Sequence, residues 1–176
     1  MKKTLIIFVA MVLCLQVSTI SGQQAAKPAD WTAMKFLLGE WTGEGNGTPG
    51  EATGSFTFSY DLQKTVLVRK GYAEYPAQNG RPAFRHDDLM IVFHEENETK
   101  AIYFDNEGHV INYKVNFSKD SLSTIFVSDA VNAAPRFRFT YTKIDNDKMK
   151  FSFDIAPPGK PEEFTKYIDG VVARKK

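Results

Sequence analysis

Cysteine is almost missing from this chain: Cys14 is the only one in 176 residues, and it lies in the N-terminal stretch. Once that stretch is removed, no disulfide or thiol chemistry is available to what remains. Runs of like charge are also missing, apart from the terminal Arg174-Lys175-Lys176. That excludes the basic face on which nucleic-acid recognition depends. No G-x-S-x-G, H-E-x-x-H, Walker string or C-x-x-C occurs after the N-terminal stretch, so the usual grounds for proposing a nucleophile, a zinc protease or a nucleotide site are absent. From Glu40 onward there is no helical periodicity between the strand-like stretches, which excludes a βαβ architecture. No internal repeat emerges.

The N-terminus has the form of a cleavable secretory signal. Lys2 and Lys3 form a positive start, Thr4 to Val17 is apolar apart from Gln16, and small residues follow at Ser18, Thr19, Ser21 and Gly22. The apolar run is shorter than the roughly twenty residues that span a bilayer. Cleavage is expected near Gly22–Gln23, giving a secreted or periplasmic protein with no membrane span. Cys14 follows the large Leu13 and sits inside the apolar run, so it does not form a lipobox. Residues 23–29 read as a disordered lead-in and residues 30–176 as one domain. Removing Lys2 and Lys3 from the 22 basic residues leaves 20 against 21 acidic ones, a net charge of about −1. The sequons at Asn46, Asn97 and Asn116 matter only in a eukaryotic secretory pathway, and the compact Lys-Lys leader is bacterial in style.

Aromatic residues are abundant, at 13% of the chain, with 14 Phe and seven Tyr. These residues favour pleated, half-buried surfaces, which points to β structure. Asp30 can cap a short helix from Trp31 to Leu38, with Trp31, Met34, Leu37 and Leu38 on one side. Ten alternating stretches follow: Glu40–Gly45, Gly54–Asp61, Thr65–Tyr75, His86–His94, Lys100–Asp105, His109–Phe117, Ser121–Ser128, Arg136–Ile144, Lys148–Ile155 and Phe164–Ala173. Gly-, Asn-, Asp- and Pro-rich turns separate them. Ten short strands joined mostly by tight turns predict an all-β, up-and-down antiparallel barrel, closed so that no strand edge is exposed.

Gly39-Glu40-Trp41, a G-x-W at the start of the first strand after a short helix, resembles the calycin superfamily of lipocalins and fatty-acid-binding barrels. The resemblance implies that Trp41 plugs one end and that a cation from the last strand, Arg174 or else Lys175, packs across its ring. The longer string Leu37-Leu38-Gly39-Glu40-Trp41-Thr42-Gly43-Glu44-Gly45, with Pro49 after it, is similar to the nitrobindin-like ten-stranded barrels and related bacterial domains. Those proteins hold haem through a histidine leading into the last strand. Phe164 stands at that place here, and no histidine lies beyond His109, so haem is not expected as a cofactor.

The candidate cavity residues are Arg69, His86, Asp88, Tyr103, His109 and Arg138. Arg69, Arg138 and Tyr103 can form a clamp for a carboxylate, or Arg69 can sit in a surface ladder. His86 and Asp88 share a strand face while Asp87 does not, so the pair can serve a metal or acid–base site if His109 or Asp105 joins from another strand. Alternatively they are polar residues at a loop mouth. His94 lies in a hairpin turn and is expected to be solvated. The stripe Phe137, Phe139, Tyr141, Phe151, Phe153 reads as core or cavity wall.

The leading functional expectation is an exported barrel, monomer or homodimer, that binds a small apolar or amphipathic molecule without catalysis. The alternatives are a haem- or metal-dependent protein using His86, Asp88 and His109, and an interaction module with a filled barrel that uses its outer strands or the Glu74–Arg85 loop.

Overall fold

The computed structural model describes residues 29–43, 53–78, 80–131 and 133–176. The expected leader with Cys14 and most of the lead-in lie outside the described residues. Ten antiparallel strands close into one barrel with neighbours in chain order and β1 against β10. They are β1 (Gly39–Gly43), β2 (Thr53–Asp61), β3 (Val66–Tyr75), β4 (Phe84–Glu95), β5 (Glu98–Asp105), β6 (Val110–Phe117), β7 (Ser123–Ser128), β8 (Arg136–Lys143), β9 (Lys148–Ala156) and β10 (Thr165–Arg174). These ranges lie within a few residues of the alternating stretches in the sequence. In a closed barrel every strand has two partners, so the exposed edge that invites aggregation is removed.

The short helix before β1 is 3₁₀ rather than α, spanning Thr32–Leu37. Its anchors explain the difference. Trp31, Met34 and Leu37 recur every third residue, and all three are buried. A spacing of three matches the three residues per turn of a 3₁₀ helix. Asp30 accepts a hydrogen bond from the Thr32 N–H at 3.0 Å, and the Trp31 indole donates to the Lys64 carbonyl at 2.8 Å. The segment therefore lies across one end of the barrel, where the β2–β3, β4–β5 and β8–β9 turns gather. His94 at that end remains exposed, but it does not stand free: its ring lies 4.5 Å from that of Trp31.

The same end holds the seam between the first and last strands. Trp41 pairs with Arg174 across it, and the guanidinium lies 4.2 Å from the indole centroid. Arg174 also donates to the carbonyls of Leu38 and Phe36, and its Nε donates to Asn146 O at 3.0 Å. The Trp41 indole donates to Leu37 O at 2.7 Å. One arginine thus ties helix, β1, β10 and the β8–β9 turn together. Gly39 makes room for it. Its φ of +114° is open to glycine, and a Cβ there would stand 2.5 Å from Arg174 Nη1.

Alanine at Gly39 combines backbone strain with a displaced Arg174, so Gly39→Ala is expected to destabilise by about 1–3 kcal/mol. Arg174→Ala removes the charge-assisted bonds and the cation–π contact, at about 2–3 kcal/mol. In urea denaturation the double variant should lose less than the sum, because the clash disappears with Arg174. Simple additivity would contradict the coupling.

Candidate functional site

Strand alternation and register assign the interior. Phe56 and Phe58 on β2, Arg69 and Gly71 on β3, and Asp88 and Met90 on β4 share one side of their ladders. Tyr103 continues that side on β5, Tyr113 on β6, Phe126 on β7, Phe139 and Tyr141 on β8, and Phe151 and Phe153 on β9. Toward the helix-covered end this interior is filled: Trp41, Phe58, Leu67, Phe126, Tyr141 and Met149 are almost fully buried. Phe58, Phe126 and Tyr141 meet edge to face, at ring separations of 5.4 and 6.2 Å. Such contacts add about 0.5–1.5 kcal/mol beyond area burial.

The opposite end is different. Phe137, Phe139, Phe151 and Phe153 face inward yet are only half-buried. Phe153 stacks on Phe137 at 5.8 Å and meets Tyr167 edge-on at 6.2 Å. Tyr167 is the extra residue where the β9–β10 register shifts between Lys166 and Ile168, and it is 67% exposed at the rim. Across the mouth Tyr75 and Phe84 stack at 6.2 Å.

Polar groups are set into this aromatic interior. Arg69, only 7% exposed, forms a salt bridge with Asp88, and its guanidinium lies 4.7 Å from the Phe56 centroid and 5.8 Å from that of Phe139. Gly71 gives the pair its space, since a Cβ there would stand 3.0 Å from both Arg69 Nη1 and Asp88 Oδ2. Arg69 Nε is buried without a partner, as is the Tyr141 hydroxyl, which lies beside Arg69 without hydrogen-bond geometry. Burial pushes the phenols of Tyr103, Tyr113 and Tyr141 upward, and the nearby Arg69 charge offsets only part of this. All three remain neutral donors at physiological pH.

Above the pair, a chain of polar groups leads to the rim. The Tyr103 hydroxyl lies 2.8 Å from His86 Nε2, and His86 Nδ1 lies 2.7 Å from Glu107 Oε1. Asp105 Oδ1 accepts from the backbone N–H of Glu107 and His109 at 3.0 and 2.9 Å, and its Oδ2 lies 2.8 Å from His109 Nδ1. Burial works against ionisation of Asp105, but the backbone and imidazole bonds from His109 outweigh it, and its pKa falls below the ordinary 3.8.

Four of the six sequence candidates therefore share the interior: Arg69, His86, Asp88 and Tyr103. His109 does not line it. Its side chain is 58% exposed on the β5–β6 turn, where it braces Asp105. Arg138 faces outward with Arg136 and Thr140, pairing with Asp154 at 3.1 Å and lying 4.3 Å from the Phe164 ring. A carboxylate clamp of Arg69, Arg138 and Tyr103 is thus not formed, because the sheet separates Arg138 from the other two. Asp88 supplies the carboxylate that Arg69 needs. Phe164, at the place where the resemblance called for a haem histidine, packs on the outer wall beside a groove of about 570 Å³ that Arg136, Arg138 and Asp154 also line. Sequence reasoning did not find Glu107, which only the turn brings to His86, or Gly71, whose lone mid-strand glycine marks a close approach.

No protein-family model matches this chain, and no curated protein matches it.

Breaking a buried ion pair strands a charge, whereas removing both partners does not. Arg69→Leu and Asp88→Leu are each expected to lose about 3–5 kcal/mol. The double variant should be more stable than the worse single one in guanidinium melts, and equal or greater loss would contradict the pairing. Asp105 gives a pH test. A depressed folded-state pKa contributes stability that is present above the unfolded value and lost as pH falls through the folded one. The stability gap between wild type and Asp105→Asn should therefore be full above about pH 4 and close below it, read from urea melts at stepped pH. A gap that does not change with pH would contradict this role for Asp105.

Proposed function

We propose that the chain is an exported binding protein, of the calycin kind and akin to nitrobindin-like barrels, that takes one small, partly apolar molecule through the open end of its barrel. The observation that carries this reading is the set of inward-facing but half-buried aromatics, Phe137, Phe139, Phe151 and Phe153, beside buried polar atoms with free hydrogen-bonding capacity. A space walled by aromatic rings and supplied with a few convergent polar groups is what a small-molecule site requires. An interior filled throughout would have buried these rings as completely as Phe126 and Tyr141.

The electrostatics sharpen the ligand class. The charge of Arg69 is matched by Asp88, so an entering carboxylate would have to displace Asp88 or lose its own charge. An uncharged polar head, a hydroxyl or carbonyl, can instead use Tyr103 and the free Arg69 Nε while its apolar tail lies on the phenylalanines. Burying each tail methylene contributes about 0.8 kcal/mol. The reading assigns no catalytic step. Its export rests on the leader, and its kinship rests on Gly39, Trp41 and Arg174.

Nile red should gain blue-shifted emission with the leaderless protein, and decanol should displace it at least tenfold more effectively than decanoate at pH 7.5. Phe139→Trp, which narrows the space, should weaken both. Absence of dye uptake, or a preference for decanoate, would overturn the reading.

A further inference from the structure

Three ligating side chains meet at the rim without being drawn into the Arg69–Asp88 pair. The ligating atoms of His86, Asp105 and Glu107 all lie within 4.8 Å of one another. They come from β4, from the end of β5 and from the turn after it, and the register Asp88↔Asp105 sets β4 beside that turn. Asn106 locks the arrangement: its side chain accepts from Asp87 N–H at 3.1 Å and donates to Arg85 O at 2.9 Å.

The charge at this place is unbalanced. Among the described residues, the ion pairs of Asp105 and Glu107 run only to histidines, His109 and His86. Asp88, Glu74 and Asp154, by contrast, are matched by the arginines Arg69, Arg85 and Arg138. With neutral imidazoles the two carboxylates leave about two negative charges together, one of them on a side chain only 4% exposed. A divalent cation neutralises that pair where a lysine does not.

We infer that His86, Asp105 and Glu107 form a site for a first-row divalent cation of the zinc class. Tetrahedral ligands about 2.0–2.2 Å from zinc stand roughly 3.4 Å apart, so side-chain rotations of about an ångström complete the set. The metal takes the place of the proton between His86 Nδ1 and Glu107, and the neutral ring keeps its single proton by shifting it through solvent to Nε2. His86 then carries its proton on Nε2, facing the Tyr103 hydroxyl. A phenol both donates and accepts, so Tyr103 holds the ring in either tautomer and supplies the outer hydrogen bond typical of a metal-bound imidazole. One nitrogen and two oxygens favour zinc and cobalt over magnesium and calcium, which take oxygen ligands alone. The fourth position is left to water at the mouth. This site does not depend on the apolar ligand proposed above.

Calorimetric titration of leaderless protein, free of any histidine tag and stripped with chelator, should give one zinc site of micromolar or tighter Kd. His86→Ala and Glu107→Gln should each weaken it at least tenfold, and the exposed His94→Ala should leave it unchanged. Cobalt should give a visible d–d band that zinc bleaches and that His86→Ala abolishes. Absence of zinc uptake, or zinc binding that survives both His86→Ala and Glu107→Gln, would overturn the inference. Dye uptake in the same preparation reports separately on the apolar site.

Discussion

Arg174 held over the indole of Trp41 is the contact on which the rest of the barrel depends. Nine of the ten strand pairings join neighbours in the chain, but β1 against β10 joins residues about 130 positions apart. Closing so long a loop carries an entropy cost that local turns do not. A cation over an aromatic face, reinforced by bonds to Leu38, Phe36 and Asn146, supplies a specific reward at that seam. The described domain contains no cysteine, so closure does the stabilising that disulfides perform in many exported proteins.

Closure at one end also decides where chemistry can occur. The 3₁₀ helix with Trp31, Met34 and Leu37 covers the end that holds Trp41, and the aromatic side chains behind it are almost fully buried. Among the described residues no helix lies across the other end, where the β3–β4, β5–β6, β7–β8 and β9–β10 connections gather. There the interior changes from closely packed rings to half-buried ones, and the polar groups are arranged by depth. The neutralised Arg69–Asp88 pair lies deepest, Tyr103 and His86 stand above it, and Asp105 and Glu107 occupy the rim. Such a gradient places the strongest fields where water is excluded and the titratable groups where it is not.

Much of this was legible in the sequence. Period-two alternation and strong turn residues placed the strands, and Gly39-x-Trp41 pointed to Arg174 across the chain. His86 and Asp88 were correctly put on one face, because strand parity is local. Parity does not say which face is inside. β8 carries Arg136, Arg138 and Thr140 on one side and Phe137, Phe139 and Tyr141 on the other, and an aromatic interior made the arginine side the outer one. Asp88 as the partner of Arg69 depended on the β3–β4 register, a diagonal relation across Gly71 that spacing along one strand does not reveal. Glu107 was out of reach for a similar reason: its contact with His86 is a product of the turn that folds it back over β4.

On the reading proposed above, a small apolar molecule enters the barrel interior beside Phe139 and Phe153 and does not sit on the outer wall. Two-dimensional amide NMR during titration of the leaderless protein with decanol tests it most directly. Shifts that saturate near one equivalent and cluster at Arg69, Tyr103, Phe139 and Phe153 are the predicted result. Shifts confined to Arg138, Asp154 and Phe164 on the outer wall, or no saturable shifts, would contradict it.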